Sequence, residues 1–196
     1  MNRLAWLPIA CIACAACGGD DGGGDAADTP DAAAPSPDAA VLPPDASSPL
    51  GVLFINEVMP SNAAACADPF GEFDDWVELY NAGATDLDLT GFTVTDDTTT
   101  PAKATLTGVT VPAHGYKLLW CDGQVQGVDH LSFKLEAKGE QFAIYLPDGS
   151  LIDSITFGKA TTDVSFARVP DGTGDFASCA HATCGAANGT TCTAGQ

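Results

Sequence analysis

Four carboxylates crowd one short stretch of this chain: Asp68, Glu72, Asp74 and Asp75, within Asp68-Pro69-Phe70-Gly71-Glu72-Phe73-Asp74-Asp75. Carboxylate oxygens are hard ligands. Calcium, which takes about six to eight oxygens, is the cofactor such a loop would suit. A calcium-dependent binding module is therefore one reading of the sequence. Asp86 with Asp88, Asp96 with Asp97, and Asp171 with Asp175 form further acidic turns. None has the spacing of an EF-hand loop. Aspartate also favours turns for a backbone reason, because its short carboxylate accepts hydrogen bonds from nearby N–H groups.

Other chemistry has less to stand on. The sequence holds no Gly-x-Ser-x-Gly, no His-Glu-x-x-His and no glycine-rich phosphate loop. Its three histidines, His114, His130 and His181, fall in turns or near the C-terminal end, with no adjacent nucleophile pattern. A non-enzymatic protein without catalytic residues is expected. A small exported hydrolase whose triad assembles only in space is the alternative. Nucleic acid is excluded as a partner on charge: residues 51–196 carry nineteen Asp plus Glu against six scattered Lys plus Arg, whereas phosphate binding needs clustered cations.

The N-terminal residues address the compartment. Arg3 precedes an apolar run from Leu4 to Ala16 that is too short to cross a bilayer and reads as an export signal over 1–16. Cys17 follows Ala15-Ala16 and precedes Gly18-Gly19-Asp20-Asp21, an arrangement that resembles a bacterial lipoprotein processing site, with lipid on Cys17. Cys14 is a second candidate acceptor, and a plain secretory signal is the other alternative. Gly18 after the anchor resembles outer-membrane sorting in preference to inner-membrane sorting. The expected location is therefore a cell envelope, lipid-anchored, at the outer membrane or cell surface. Residues 17–50 are dominated by Gly, Ala, Asp and Pro, with seven aspartates and no basic residue after the signal. Too little apolar surface is available there to offset conformational entropy, so a disordered tether is expected.

From residue 51 onward, short apolar runs separated by Gly, Asp, Pro and Asn recur about every ten residues, the pattern of an all-β sandwich. Trp76-Val77-Glu78-Leu79-Tyr80-Asn81 alternates with a period of two. Val77 and Leu79 are the expected inward pair, with Glu78 outward because a buried carboxylate is costly. Further strands are expected at 52–58, 87–95, 104–109, 116–121, 133–135, 141–146, 151–157 and 164–168. Phe70 and Phe73 in the acidic loop are expected to fold back as core or plug.

Ile55-Asn56-Glu57, Asp74-Asp75-Trp76-Val77-Glu78-Leu79-Tyr80-Asn81, Leu89-Thr90-Gly91-Phe92, Gly115-Tyr116-Lys117-Leu118-Leu119-Trp120, Gly139-Glu140, Asp148-Gly149, Val164-Ser165-Phe166-Ala167-Arg168 and Pro170-Asp171-Gly172 follow one another in an order that resembles the bacterial lamin tail domains. The resemblance covers roughly residues 52 to 190. It implies an immunoglobulin-like β-sandwich, in bacteria usually a module of exported proteins, with no established catalytic site. The organisation then reads as a sandwich over 51–178 and a cysteine-containing tail over 179–196, packed on or stapled to it. Arg168 falls where the family tends to keep a basic residue, and a pairing with Glu57 or Glu78 is expected.

Five of the eight cysteines lie beyond the signal and anchor: Cys66, Cys121, Cys179, Cys184 and Cys192. In an exported protein they are expected to form disulfides, with one left over. Cys66 with Cys121 would tie the long acidic loop to a strand. Ala182-Thr183-Cys184-Gly185-Ala186-Ala187-Asn188-Gly189 resembles the family's terminal run with Cys184 in a proline's place. Cys179 with Cys192 would close a loop around it and leave Cys184 free. A zinc site of Cys179, His181, Cys184 and Cys192 is the alternative, without the paired Cys-x-x-Cys spacing typical of such sites. The expected function is a lipid-anchored, non-catalytic envelope protein. Its partners are the membrane, through its lipid, and an envelope protein or glycan that it binds, adheres to or assembles with.

Overall fold

The computed structural model describes residues 51–189 and 192–194. The signal, the tether and the anchor cysteines Cys14 and Cys17 lie outside the described residues.

Two long alternating segments set the architecture. β1 (Leu53–Met59) and β2 (Trp76–Asn81) pair antiparallel, with Val58 opposite Val77 and Ile55 opposite Leu79. The strands that follow are β3 (Leu87–Asp88), β4 (Thr93–Thr95), β5 (Ala104–Thr105), β6 (Thr110–Val111), β7 (Tyr116–Cys121), β8 (His130–Leu131), β9 (Glu140–Tyr145), β10 (Leu151–Phe157), β11 (Ser165–Val169), β12 (Asp175–Cys179) and β13 (Thr193–Ala194). One sheet runs β13-β12-β11-β1-β2-β7-β8, a second runs β10-β9-β4-β5, and β3 pairs with β6. Among the described residues, the strand pairings are antiparallel except that of β7 with β8.

Because side chains alternate across a strand, the large sheet has two different faces. Ile55, Val77, Leu79 and Leu119 meet Val94, Phe142, Ile144, Ile155 and Phe157 of the second sheet in one core. This is the immunoglobulin-like sandwich. On the opposite face of the large sheet, Met59, Trp76 and Trp120 form a second cluster with Cys66, Leu118, Ala182 and Cys184 packed against it. The C-terminal segment therefore covers a sheet face that would otherwise meet water.

That cover overturns the expectation for Glu78. Val77 and Leu79 do point into the core, but Glu78 is fully buried as well, and so is Glu57 opposite it. Glu57 accepts hydrogen bonds from Ser165 Oγ and from Thr183 N and Oγ1 at 3.2 and 2.8 Å. Glu78 accepts from Asn56 Nδ2 at 3.0 Å and from Gly185 N at 2.6 Å. Asn56 Nδ2 also donates to Asp171, and Asn188 donates through Nδ2 to the carbonyls of Asn56 and Arg168. The buried carboxylates are tolerable because each oxygen has a donor.

Arg168 pairs with neither Glu57 nor Glu78. Its Nη2 lies 3.1 Å from both oxygens of Asp153, its Nε and Nη1 donate to the carbonyls of Ile55 and Gly174, and its guanidinium stacks on Phe176. The reason is side-chain direction: both glutamates are already occupied by the tail, while Asp153 on β10 faces Arg168 across the sandwich edge.

The strand expected at 133–135 is replaced by β8 at 130–131 and a single bridge between Asp122 and Lys134. The stretch expected as one strand at 87–95 is split into β3 and β4 by a turn at Gly91, whose φ of 90° suits glycine.

Candidate functional site

The acidic loop between β1 and β2 is folded around Asn62. Its Nδ2 donates to the carbonyls of Cys66 and Asp74 at 2.6 and 2.8 Å, its Oδ1 accepts from Ala65 N and Cys66 N, and its own N–H donates to Asp75 Oδ1. One side chain thus joins the two arms of the loop. Asp163 holds the outer turn by accepting from Ala63 N and Ala64 N at 2.7 and 2.9 Å. Asp68 makes the inner turn. Its Oδ1 accepts from Phe70 N and Glu72 N at 2.9 and 2.7 Å, while Asp68 N donates to the Glu72 carbonyl. Gly71, at φ 86°, allows the reversal.

A disulfide then fastens the loop, though with a different partner from the one expected. Cys66 is joined to Cys184, with a Cα–Cα distance of 6.5 Å, and Cys179 is joined to Cys192. Cys121 is buried and free. Its backbone N–H donates to the Asp75 carbonyl at the end of the loop. Its thiol is turned toward the carbonyl of Leu119, away from Cys66. The Cys184 backbone is in the left-handed region at φ 33°, which turns the tail over the Trp76 cluster and onto Cys66. With Cys179, Cys184 and Cys192 all oxidised, the zinc set has no thiolate to offer.

The loop brings three of the four carboxylates singled out from the sequence together and leaves one out. Asp68, Glu72 and Asp74 each place an oxygen within 4.8 Å of the others. Asp75 is turned the other way, to Asn62. The Asp68 side chain is fully buried, and its Oδ2 has no hydrogen-bond donor. Asp74 Oδ2 is likewise buried and without one. Burial, with the charges of Asp122, Glu72 and Asp68, raises the Asp74 carboxyl above its ordinary value. Burial also raises that of Asp75.

No local pattern in the sequence marks the residues that close this site from the β7–β8 loop. Gln126 Nε2 donates to Glu72 Oε2 at 3.0 Å, and Gln126 Oε1 is buried without a donor. His130, expected in a turn, is buried on β8. Its Nδ1 lies 2.5 Å from Asp122 Oδ2, and its Nε2 lies 4.0 Å from both Asp68 Oδ2 and Asp129 Oδ1. Asp129 is held by Lys117 at 2.6 Å; burial works to raise its carboxyl, but the Lys117 ammonium outweighs this and leaves it lowered. Trp120 stacks near the His130 ring and Phe70 meets it edge-on. Phe70 and Phe73 are exposed rather than plugs, at 61% and 46%, because Trp120 and His130 already fill the space beneath the loop.

The arrangement is suited to recognition. His130 has carboxylates at both ring nitrogens. Cys121, the free thiol among the described residues, is buried, which pushes its pKa well up, and a buried thiol is a poor nucleophile. What remains is an oxygen-lined loop, rimmed by aromatic side chains, at one end of an immunoglobulin-like sandwich, the architecture of a binding module. The chain belongs to the lamin tail domain family, whose profile matches residues 46–159. The match covers the acidic loop and the sandwich through β10, and β11 to β13 lie beyond it. Comparison with curated proteins and with solved structures finds no match.

Proposed function

We propose that this protein is exported, anchored through lipid at Cys17, and displays its lamin tail domain at a cell envelope as a non-catalytic module that binds an envelope protein or glycan. The observation that carries the reading is the pair of disulfides in the domain, Cys66–Cys184 and Cys179–Cys192, since such bonds persist in oxidising compartments. The signal-like run ahead of Cys17 agrees with it, and so does the acidic composition of the Gly18–Pro49 stretch. Exposed Phe70 and Phe73 beside the acidic loop give the module a surface on which aromatic anchors could bind.

Expression of the full chain in a lipoprotein-processing bacterium with an alkyne-tagged fatty acid tests the anchor. The wild type and Cys14→Ser are expected to take the label and sediment with membranes, and Cys17→Ser to lose both. Label that survives in Cys17→Ser, or a wild type that is never labelled, overturns the lipid anchor. Capture of envelope proteins or glycans by the labelled protein, weakened in Phe70→Ser/Phe73→Ser, is the expected result for the binding role. Equal capture by wild type and variant removes the loop from it.

A further inference from the structure

We infer that the β1–β2 loop is a calcium site, built from Asp68, Glu72 and Asp74 and completed from the β7–β8 loop by Gln126. A cluster of carboxylates alone would carry no such conclusion, because acidic turns are common on a solvated surface. Three oxygen atoms decide it. Asp68 Oδ2, Asp74 Oδ2 and Gln126 Oε1 are all buried and all lack a hydrogen-bond donor. Asp68 is the most telling, since its side chain is fully buried and its other oxygen is saturated by two backbone N–H groups. A buried acceptor without a partner is destabilising. Proteins rarely leave several in one place without a ligand to satisfy them.

The neighbouring cations do not supply that partner. His130 Nε2 stays 4.0 Å from Asp68 Oδ2, beyond hydrogen-bond reach, and its other nitrogen is committed to Asp122. Lys117 is committed to Asp129. Lys134 acts on Asp74 only through its distant charge. Among the described residues, three carboxylates therefore place oxygens within 4.8 Å of one another with no lysine or arginine in contact.

The donor set selects the metal. Every candidate ligand is oxygen, which disfavours zinc and copper and suits a hard cation. The carboxylate oxygens lie within 4.8 Å of one another, a spread that calcium spans with ligands at about 2.3–2.6 Å. Magnesium requires a tighter, near-octahedral shell at about 2.0–2.1 Å. Four protein groups leave the remaining positions to water on the side where Glu72 is exposed. Such a partly open site belongs with the weaker extracellular calcium modules, with Kd on the order of 10⁻⁴–10⁻³ M. Cation binding at this loop stands apart from export, and it is measurable whether or not the chain is lipidated.

Calorimetric titration of the chelator-treated full chain with calcium chloride, together with melting in calcium and in chelator, tests it. One saturable site, a higher Tm in calcium and a much weaker response to magnesium are expected. Asp68→Asn and Glu72→Gln should each weaken calcium binding about tenfold or more, whereas Asp88→Asn, in a separate turn, should leave it unchanged. Should Asp68→Asn not fold, Glu72→Gln decides the outcome, because its side chain is exposed and bonded only to Gln126. Identical Tm in calcium and chelator with no heat of binding overturns the site. Affinity retained in Glu72→Gln, or lost equally in Asp88→Asn, overturns it in favour of diffuse screening of an acidic protein.

Discussion

Glu57 and Glu78 stand opposite each other across β1 and β2, both buried, both closed over by the C-terminal segment. Burial is the main reason that Glu78 titrates at about 7 and that Glu57 also sits above its ordinary value; the charges of Glu57 and Asp171 push Glu78 the same way. The folded state therefore holds protons that the unfolded chain has released. The resulting stabilisation is fully present below about pH 4.5, the unfolded value, and is lost as pH rises through about 7. For Glu78 alone the difference corresponds to roughly 3 kcal/mol. Melting of the full chain between pH 5 and pH 8 is expected to show a falling Tm, and Glu78→Gln to flatten the slope. A Tm that rises across this range would contradict the assignment. The turn aspartates Asp88, Asp97, Asp148 and Asp163, whose carboxyls are lowered by hydrogen bonds from neighbouring groups, act with the opposite sign. Their contribution is lost only in acid, below the ordinary aspartate range.

The Cys66–Cys184 bond closes a loop of 118 residues. A cross-link of that span restricts the unfolded chain by about 4–5 kcal/mol in the chain-entropy account. Cys184→Ser in the full chain is expected to lower stability by about 2–5 kcal/mol and to expose the Trp76 cluster, seen as a red shift in tryptophan emission. Cys121→Ser, at a cysteine outside both bonds, should preserve both disulfides in a mass count. A Cys66–Cys121 peptide recovered from non-reducing digestion would reverse this assignment.

Arg168 joins three elements at once, through Asp153, Ile55, Gly174 and Phe176. Arg168→Met leaves Asp153 half-buried without its cation and is expected to cost about 3 kcal/mol or more in denaturant unfolding. Arg168→Lys keeps the charge but not the planar fork and should recover only part of it.

Local pattern makes much of the fold legible. The alternation in Trp76–Asn81 marks a strand with its bounds, and the recurrence of turns marks an all-β chain. What local pattern misses depends on chain that returns from far away. Glu78 reads as solvent-facing because nothing near it in sequence announces the segment at 183–188 that covers it. Cys66 reads as the partner of Cys121 for the same reason. The strands β12 and β13 do not stand out because both are short, and Asp175–Cys179 carries a single large apolar residue, Phe176. The acidic loop is visible as a group of carboxylates. Its division into a converging trio and an outlying Asp75 rests on Asn62, whose role is set by hydrogen bonds to both arms. Gln126, from the β7–β8 loop, and His130, on β8, enter more than fifty residues further on.

β1 lies in the interior of its sheet, with β11 on one side and β2 on the other, and it is also the strand through which the chain enters the domain from residues 1–50. Tension on that entering segment is therefore delivered to a strand that has no free edge. It cannot be peeled one hydrogen bond at a time from a margin; two ladders must give way together, along with the Ile55 contacts to Arg168 and Asp153. The point of entry is thus among the last parts of the domain to yield to a pull.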